Sequence, residues 1–350
     1  MSGRSIINIK QISKASLISM MLFLSACTYI QTGMQAEPPS EDGSITAYFC
    51  PQDNCTGVFI SFIDSAESSI HCAFYYLRKP EIVELLDQKS RQIDVRVVVE
   101  RDNNNLNYPW LRVDTSSAYM HNKFCVADAS SQGMNGRAGK PVVYVGSTDA
   151  MLSAFESNIN NFLIIESNYV AADFEGEFEE LWSGVYGGGG QTPYPKVLIS
   201  SPNGNALVDV LFCPEDGCSD ALKRLIDNAD QEINFEAFSF TLKSIADALV
   251  NAQSRGVKVS GIFEYQQKSQ YSQHDSLKAR GLNVTWDNLR EKLHSKVFII
   301  DDTVVTGSFN PSMNGDTRND ESVVVVHNKE LAEQYRQGFY GVWNDQQNIS

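Results

Sequence analysis

The pattern H-x-K-x4-D occurs twice in this chain of 350 residues. One copy runs from His121 through Lys123 to Asp128, the other from His294 through Lys296 to Asp301. Each is followed by a glycine-serine pair, Gly146-Ser147 and Gly307-Ser308, and an asparagine stands twelve residues beyond each glycine, at Asn158 and Asn319. Histidine and lysine two apart share one face of a strand, and the apolar run 297–300 reads as buried strand. Asp301-Asp302-Thr303 is turn chemistry, so Asp301, like Asp128, is expected to end its strand rather than to move protons. A glycine-serine loop lets backbone approach a ligand closely. Imidazole and ammonium facing such a loop make a site for an anion such as phosphate.

The repeat extends beyond the motifs. Cys50-Pro-Gln-Asp-Asn-Cys55 and Cys213-Pro-Glu-Asp-Gly-Cys218 are the same C-P-x-D-x-C element, and Ile63-Asp64-Ser65-Ala66-Glu67 parallels Ile226-Asp227-Asn228-Ala229-Asp230. Strands are expected at 70–76 and 233–240, helices at 80–91 and 242–255, and β-branched strands at 95–100 and 257–263. Strand-helix-strand alternation implies a parallel or mixed sheet flanked by helices in each half. The unit of about 160 residues is a domain duplication rather than a solenoid. The halves are expected over 44–186 and 201–345, joined by a Gly/Pro-rich linker over 187–200 that begins with four glycines.

Residues 1–27 read as an export signal: Arg4, Lys10 and Lys14 precede an apolar run at 17–24 that is too short to span a bilayer. The run ends in Leu24-Ser25-Ala26-Cys27, a lipoprotein-type box with Cys27 as the acylated residue, and 28–43 is a polar tether. The expectation is a lipoprotein anchored on the extracytoplasmic face of a prokaryotic cell envelope. In that oxidising compartment Cys50 with Cys55, and Cys213 with Cys218, are disulfide candidates, zinc being the alternative for two C-x4-C pairs. Cys72 and Cys125 sit in apolar strands and read as buried thiols that could also pair with each other. The formal charge of −15 disfavours non-specific binding to nucleic acid, and equally to anionic lipid.

The two motifs, with their trailing loops, resemble the phospholipase D superfamily, in which two H-x-K-x4-D halves form one site. The resemblance covers nearly all of the chain after Ser44. It implies an α/β phospholipase D-like fold of two homologous halves, each a mixed sheet flanked by helices, related by a pseudo-twofold axis. It also implies that one histidine attacks phosphorus to form a phosphohistidine and the other protonates the leaving oxygen, with no cofactor and no metal needed. Carried onto this sequence, Lys123 and Lys296 neutralise the phosphoryl oxygens, and Ser147, Ser308 and Asn310 add donors. Glu321 occupies the position from which family members hydrogen-bond the motif histidine, and Asn160 is its first-half counterpart. A carboxylate behind His294 would suit it to be the general acid, and an amide behind His121 would suit it to be the nucleophile.

Asp149, where the pattern has asparagine, and Asn160, where it has glutamate, depart from the family. They leave open an inactive phosphate-binding descendant. The substrate is expected to be a phospholipid reached through the lipid anchor, with a metal-independent nuclease acting on nucleic acid as the alternative. An apolar rim at 107–111 is a candidate lipid or base contact, with Trp110 as core the other reading. His71, His274 and His327 read as structural or solvated, and Glu236 as a lesser candidate near the site.

Overall fold

The computed structural model describes residues 37–103, 106–129, 140–201 and 204–347. The expected signal sequence, Cys27 and most of the tether lie outside them. Among the described residues no helix is long and apolar enough to cross a membrane. From Pro38 onward the chain forms one compact unit.

The first half contains β1 (Ser40–Asp42), β2 (Ser44–Cys50), α1 (Cys55–Ser65), β3 (Ser69–Phe74), α2 (Pro80–Lys89), β4 (Asp94–Val99), β5 (Leu111–Val113), β6 (Lys123–Ala127), β7 (Val142–Gly146), α3 (Leu152–Glu156), β8 (Asn160–Glu166) and α4 (Asn168–Ser183). The second contains β9 (Lys196–Ser200), β10 (Ala206–Cys213), α5 (Cys218–Asp227), β11 (Glu232–Ala237), α6 (Lys243–Ser254), β12 (Lys258–Phe263), α7 (His274–Ala279), β13 (Asn283–Trp286), β14 (Lys296–Ile300), β15 (Thr303–Gly307), α8 (Met313–Thr317), β16 (Glu321–His327) and α9 (Lys329–Gln347).

One sheet has the order β2-β8-β7-β6-β3-β4-β5, and the other repeats it as β10-β16-β15-β14-β11-β12-β13, with β9 and β1 added at its β10 edge. β3–β4–β5 and β11–β12–β13 are parallel, whereas the motif strands β6 and β14 run antiparallel to both neighbours. These are the two mixed sheets expected. Two stretches depart from the sequence reading. Lys196–Ser200, read as linker, is a strand paired with β10, and Ser40–Asp42, read as tether, pairs in parallel with β9.

Both faces of each motif strand are buried, which is why these strands are continuous apolar runs rather than alternating ones. Phe124 and Val126 of β6, with Val297 and Ile299 of β14, enter a shared core that also takes Phe174 and Phe178 from α4 and Tyr335 and Phe339 from α9. Phe298 and Ile300 face the outer layer of the second half, Cys125 and Ala127 that of the first. The interface between halves is therefore hydrophobic core, and the two motifs are held as rigidly as a domain interior.

Disulfides join Cys50 to Cys55, Cys213 to Cys218, and Cys72 to Cys125. The first two sit where β2 and β10 turn into α1 and α5. The third is the pairing left open beside the reading of buried thiols: Cys72 on β3 and Cys125 on β6 are direct cross-strand partners, a register the sequence does not reveal. Trp110 is core, stacked on Tyr108 with its indole N–H donating to Asp87 at 3.3 Å, so 107–111 offers no Trp110 rim to a lipid or a base.

Candidate active site

Each motif strand ends as its aspartate dictates. Asp128 (φ 62°) and Asp301 (φ 49°) adopt the left-handed conformation that aspartate tolerates in turns. The Asp128 carboxylate accepts the N–H groups of Glu67, Ser68 and Ser69, and Asp301 those of Asp230, Gln231 and Glu232. These aspartates lock β6 and β14 to the turns before β3 and β11. Gly146 and Gly307 permit close approach, since a Cβ on either would collide with the backbone of β8 or β16. Ser147 N–H and Ser308 N–H then reach the carbonyls of Asn161 and Ser322, each at 2.9 Å.

The start of each motif is held by the opposite half. Met120 bridges in parallel to Asp320, and Leu293 to Ile159. His121 N–H donates to the Asp320 carbonyl at 2.9 Å, and His294 N–H to that of Ile159 at 2.8 Å. Since Glu321 and Asn160 follow those acceptors, the side-chain pairing is crossed. His121 Nδ1 lies 2.7 Å from Glu321 Oε2, and His294 Nδ1 lies 3.1 Å from Asn160 Oδ1. This corrects the expectation that Glu321 stands behind His294 and Asn160 behind His121. The reason is the pseudo-twofold axis: each β8 or β16 strand end backs the histidine of its mate.

Ser147 and Ser308, expected to bond phosphate, have fully buried hydroxyls committed elsewhere. Ser308 Oγ donates to Glu321 Oε2 at 2.7 Å, and Ser147 Oγ to Asn160 Oδ1 at 2.9 Å. Asn160 Nδ2 donates to the Ala154 carbonyl, so its oxygen is turned toward His294. Both Nδ1 atoms thus face acceptors and carry protons, leaving both Nε2 atoms for the reaction. Asn310 Oδ1 accepts the Ser239 N–H at 3.2 Å, and Asp149 Oδ1 accepts that of Tyr76 at 2.9 Å. The other Asp149 oxygen stands 3.6 Å from Lys123 Nζ, which answers the concern that it would meet phosphate unpaired.

Lys123 Nζ donates to the His121 carbonyl at 2.8 Å and Lys296 Nζ to that of His294 at 2.6 Å. Sequence reasoning missed the aromatic partners of these pairs. Tyr75 stands edge-on to His121 with centroids 5.3 Å apart, and Phe238 to His294 at 4.6 Å. Lys123 also lies over Tyr75, and Lys296 over Phe238. The signal available was their matching position, one residue past β3 and β11. Glu236 lies elsewhere, lining a cavity of about 560 Å³ between β2, β14 and α9, where burial pushes its carboxyl up to about 7. His71 is held by Glu175 and Asp94, His274 by Asp275 and Trp286, and His327 by Thr303.

Burial lowers His121 against the opposing pull of Glu321, and lowers Lys123 against Asp149 and Glu321. His294 is pushed well below the usual imidazole value by burial and then by Lys296, Lys123 and His121. Lys296 is pushed down by burial and then by Lys123. The motif bases therefore act on one another across the interface, as groups around one anion site do. An anion placed among them reverses the repulsion and raises all four. The bound state then holds more protons than the free state, so affinity must fall as pH rises. Calorimetry with sulfate, which stays a dianion across this range, in buffers of different ionisation enthalpy should show proton uptake at pH 8 and tighter binding at pH 6.5. Binding independent of pH over this range would contradict the coupling.

A cleft of about 530 Å³ opens onto His294 and is lined by Tyr76, Asp149, Met151, Asn158, Arg290 and Lys292, among others. The family described as the cardiolipin synthase, PLD-like domain matches twice, over residues 59–182 and 222–343, one match per half. The chain belongs to the phospholipase D superfamily. Phosphodiesterase chemistry of that superfamily is what the match supports for the chain. Among relatives, the chain is 37% identical over 134 residues to a phospholipase D of Rickettsia conorii, covering 38% of this chain and 67% of that one. It is 31% identical over 129 residues to the mitochondrial cardiolipin hydrolase of Xenopus laevis, covering 33% of this chain and 56% of that one. The phosphatidylserine synthase of Haemophilus influenzae shares the fold, with a TM-score of 0.61 at 13% identity, covering 86% of this chain and 85% of that one.

Proposed function

We propose that the protein hydrolyses phospholipid diesters through a phosphohistidine on His121. The observation that carries the mechanism is the crossed pairing. Glu321 keeps the His121 proton on Nδ1, presents the Nε2 lone pair, and offsets the positive charge that develops on the ring as the N–P bond forms. The expected nucleophile is retained for a different reason, charge compensation rather than an easily neutral ring. His294, backed by a neutral amide and flanked by lysines, is a strong acid once the diester anion has raised it to the protonated state.

Nε2 of His121 attacks phosphorus, the P–O bond to the leaving group breaks, and the departing oxygen takes the proton from His294 Nε2. His294 then accepts a proton from water, whose oxygen attacks phosphorus and releases His121 with a phosphomonoester. Lys123, Lys296 and Asn310 hold the non-bridging oxygens, while Ser147 and Ser308 orient the groups behind the histidines.

Lipid is favoured by exposed apolar side chains at pseudo-equivalent places in the two halves, one of them at the cleft. Leu152 stands between two cleft-lining residues and is 56% exposed, and its pseudo-equivalent Met313, first residue of α8, is 62% exposed. Two large apolar side chains at matching places suit an acyl-chain surface better than a polynucleotide. A lipoprotein anchor at Cys27, on the extracytoplasmic face of a cell envelope, would hold the site beside that surface. The test compares choline release from phosphatidylcholine vesicles with cleavage of single-stranded DNA in one buffer. Lipid turnover supports this reading; DNA cleavage without it supports the nuclease, and neither activity the phosphate-binding descendant.

A further inference from the structure

Opposite the Glu236 cavity, at the pseudo-equivalent place, lies a cluster of acids. The carboxylate oxygens of Glu177 and Glu180 on α4, and of Glu215 in the β10–α5 turn, lie within 4.8 Å of one another. Asp320, the residue before β16, repels Glu177 and is repelled by Glu215. We propose that Glu177, Glu180 and Glu215, with Asp320 beside them, bind a hard divalent cation of the calcium class that ties the two halves together behind His121.

Several independent observations support the site. The fold does not require acids here. The pseudo-equivalent residues are Gly338, Gly341, Gln52 and Ile159, and all four line the opposite cavity. Among the described residues, the leading charges acting on Glu177, Glu215 and Asp320 are other carboxylates. Among the described residues, Asp320 Oδ2 and Glu215 Oε2 are buried atoms without a hydrogen-bond partner, and Asp320 is only 3% exposed. Buried oxygens in this state are costly unless a proton or a metal satisfies them. An all-oxygen, multi-carboxylate donor set matches calcium, whereas thiolate- or imidazole-seeking metals have no ligand here.

The glycine run read from sequence as a flexible link is the lid of this cluster. Gly187 N–H donates to Asp320 Oδ1 at 2.6 Å and Gly190 N–H to Glu180 Oε1 at 2.9 Å. A Cβ on Gly189 would collide with Glu180 Oε2. The cluster also touches the catalytic wall. Asn122, between His121 and Lys123, donates to Glu177 Oε1 at 3.1 Å, and the Asp320 carbonyl holds His121 N–H. A cation here braces α4, the β10–α5 turn and the His121 segment at once.

The test uses thermal unfolding of the purified chelator-treated protein, with calcium alone added, beside Glu180→Gln/Glu215→Gln. Calcium at a hundredfold excess over its Kd should raise the wild-type midpoint by on the order of 4 °C. The double variant should lose that response yet melt no lower than wild type in chelator, because the amides remove like-charge repulsion. Wild-type terbium luminescence, displaced by calcium at one equivalent, reads the same site should the variant fail to fold. An unchanged wild-type midpoint with no displaceable terbium would overturn the proposal, as would equal stabilisation of wild type and variant.

Discussion

Alanine at His121 and alanine at His294 should each lower turnover of an unactivated phospholipid diester by about 10⁴-fold or more, with little change in thermal midpoint. Neither side chain lies in the hydrophobic core, and each motif start stays fixed by its backbone bridge to the other half. Loss of His121 removes the nucleophile. Loss of His294 leaves an alkoxide that must depart without a proton, a barrier the lysines alone do not remove. The double variant should be scarcely worse than either single one, since the two rings act in one sequence. Steady-state assays of the three variants against wild type check this, and near-wild-type activity in either single variant would exclude a shared site.

The second large effect is expected at Glu321. Glutamine there keeps the shape but removes the charge behind His121, and its N–H₂ group can force the wrong tautomer on the ring. A fall in kcat of about 10³–10⁴-fold is expected, with KM nearly unchanged. The control is the other half of the crossed pairing. Asn160→Asp places a carboxylate behind His294, raising its pKa, and should move the alkaline limb of the kcat/KM profile upward. If Glu321→Gln moved the limb assigned to His294 and Asn160→Asp did not, the histidine roles would be reversed.

These expectations mark what the sequence could and could not convey. The motif spacing and its duplication disclosed the α/β halves, because period-two patterning and turn chemistry are local properties. The structural task of Asp128 and Asp301 was legible for the same reason. The crossed pairing was not, because it depends on how the halves face each other, and Glu321 and Asn160 look in sequence like partners of their own motifs. Ser147 and Ser308 were misplaced by the same gap, since their hydroxyls serve those crossed partners. The Cys72–Cys125 disulfide needed the strand register. Gly187–Gly190 read as a link because nothing local shows the acids of α4 and the β10–α5 turn beneath it.

The most direct test of one site built from both halves is to locate the phosphoryl group. Bis(p-nitrophenyl) phosphate carries a leaving group that needs no acid, so His294→Ala should still complete the first step. Rapid quench and peptide mapping of that variant should find one phosphoryl group per chain on His121, with one equivalent of nitrophenolate released in a burst. Label on any other residue, or a burst persisting in His121→Ala, would contradict the account.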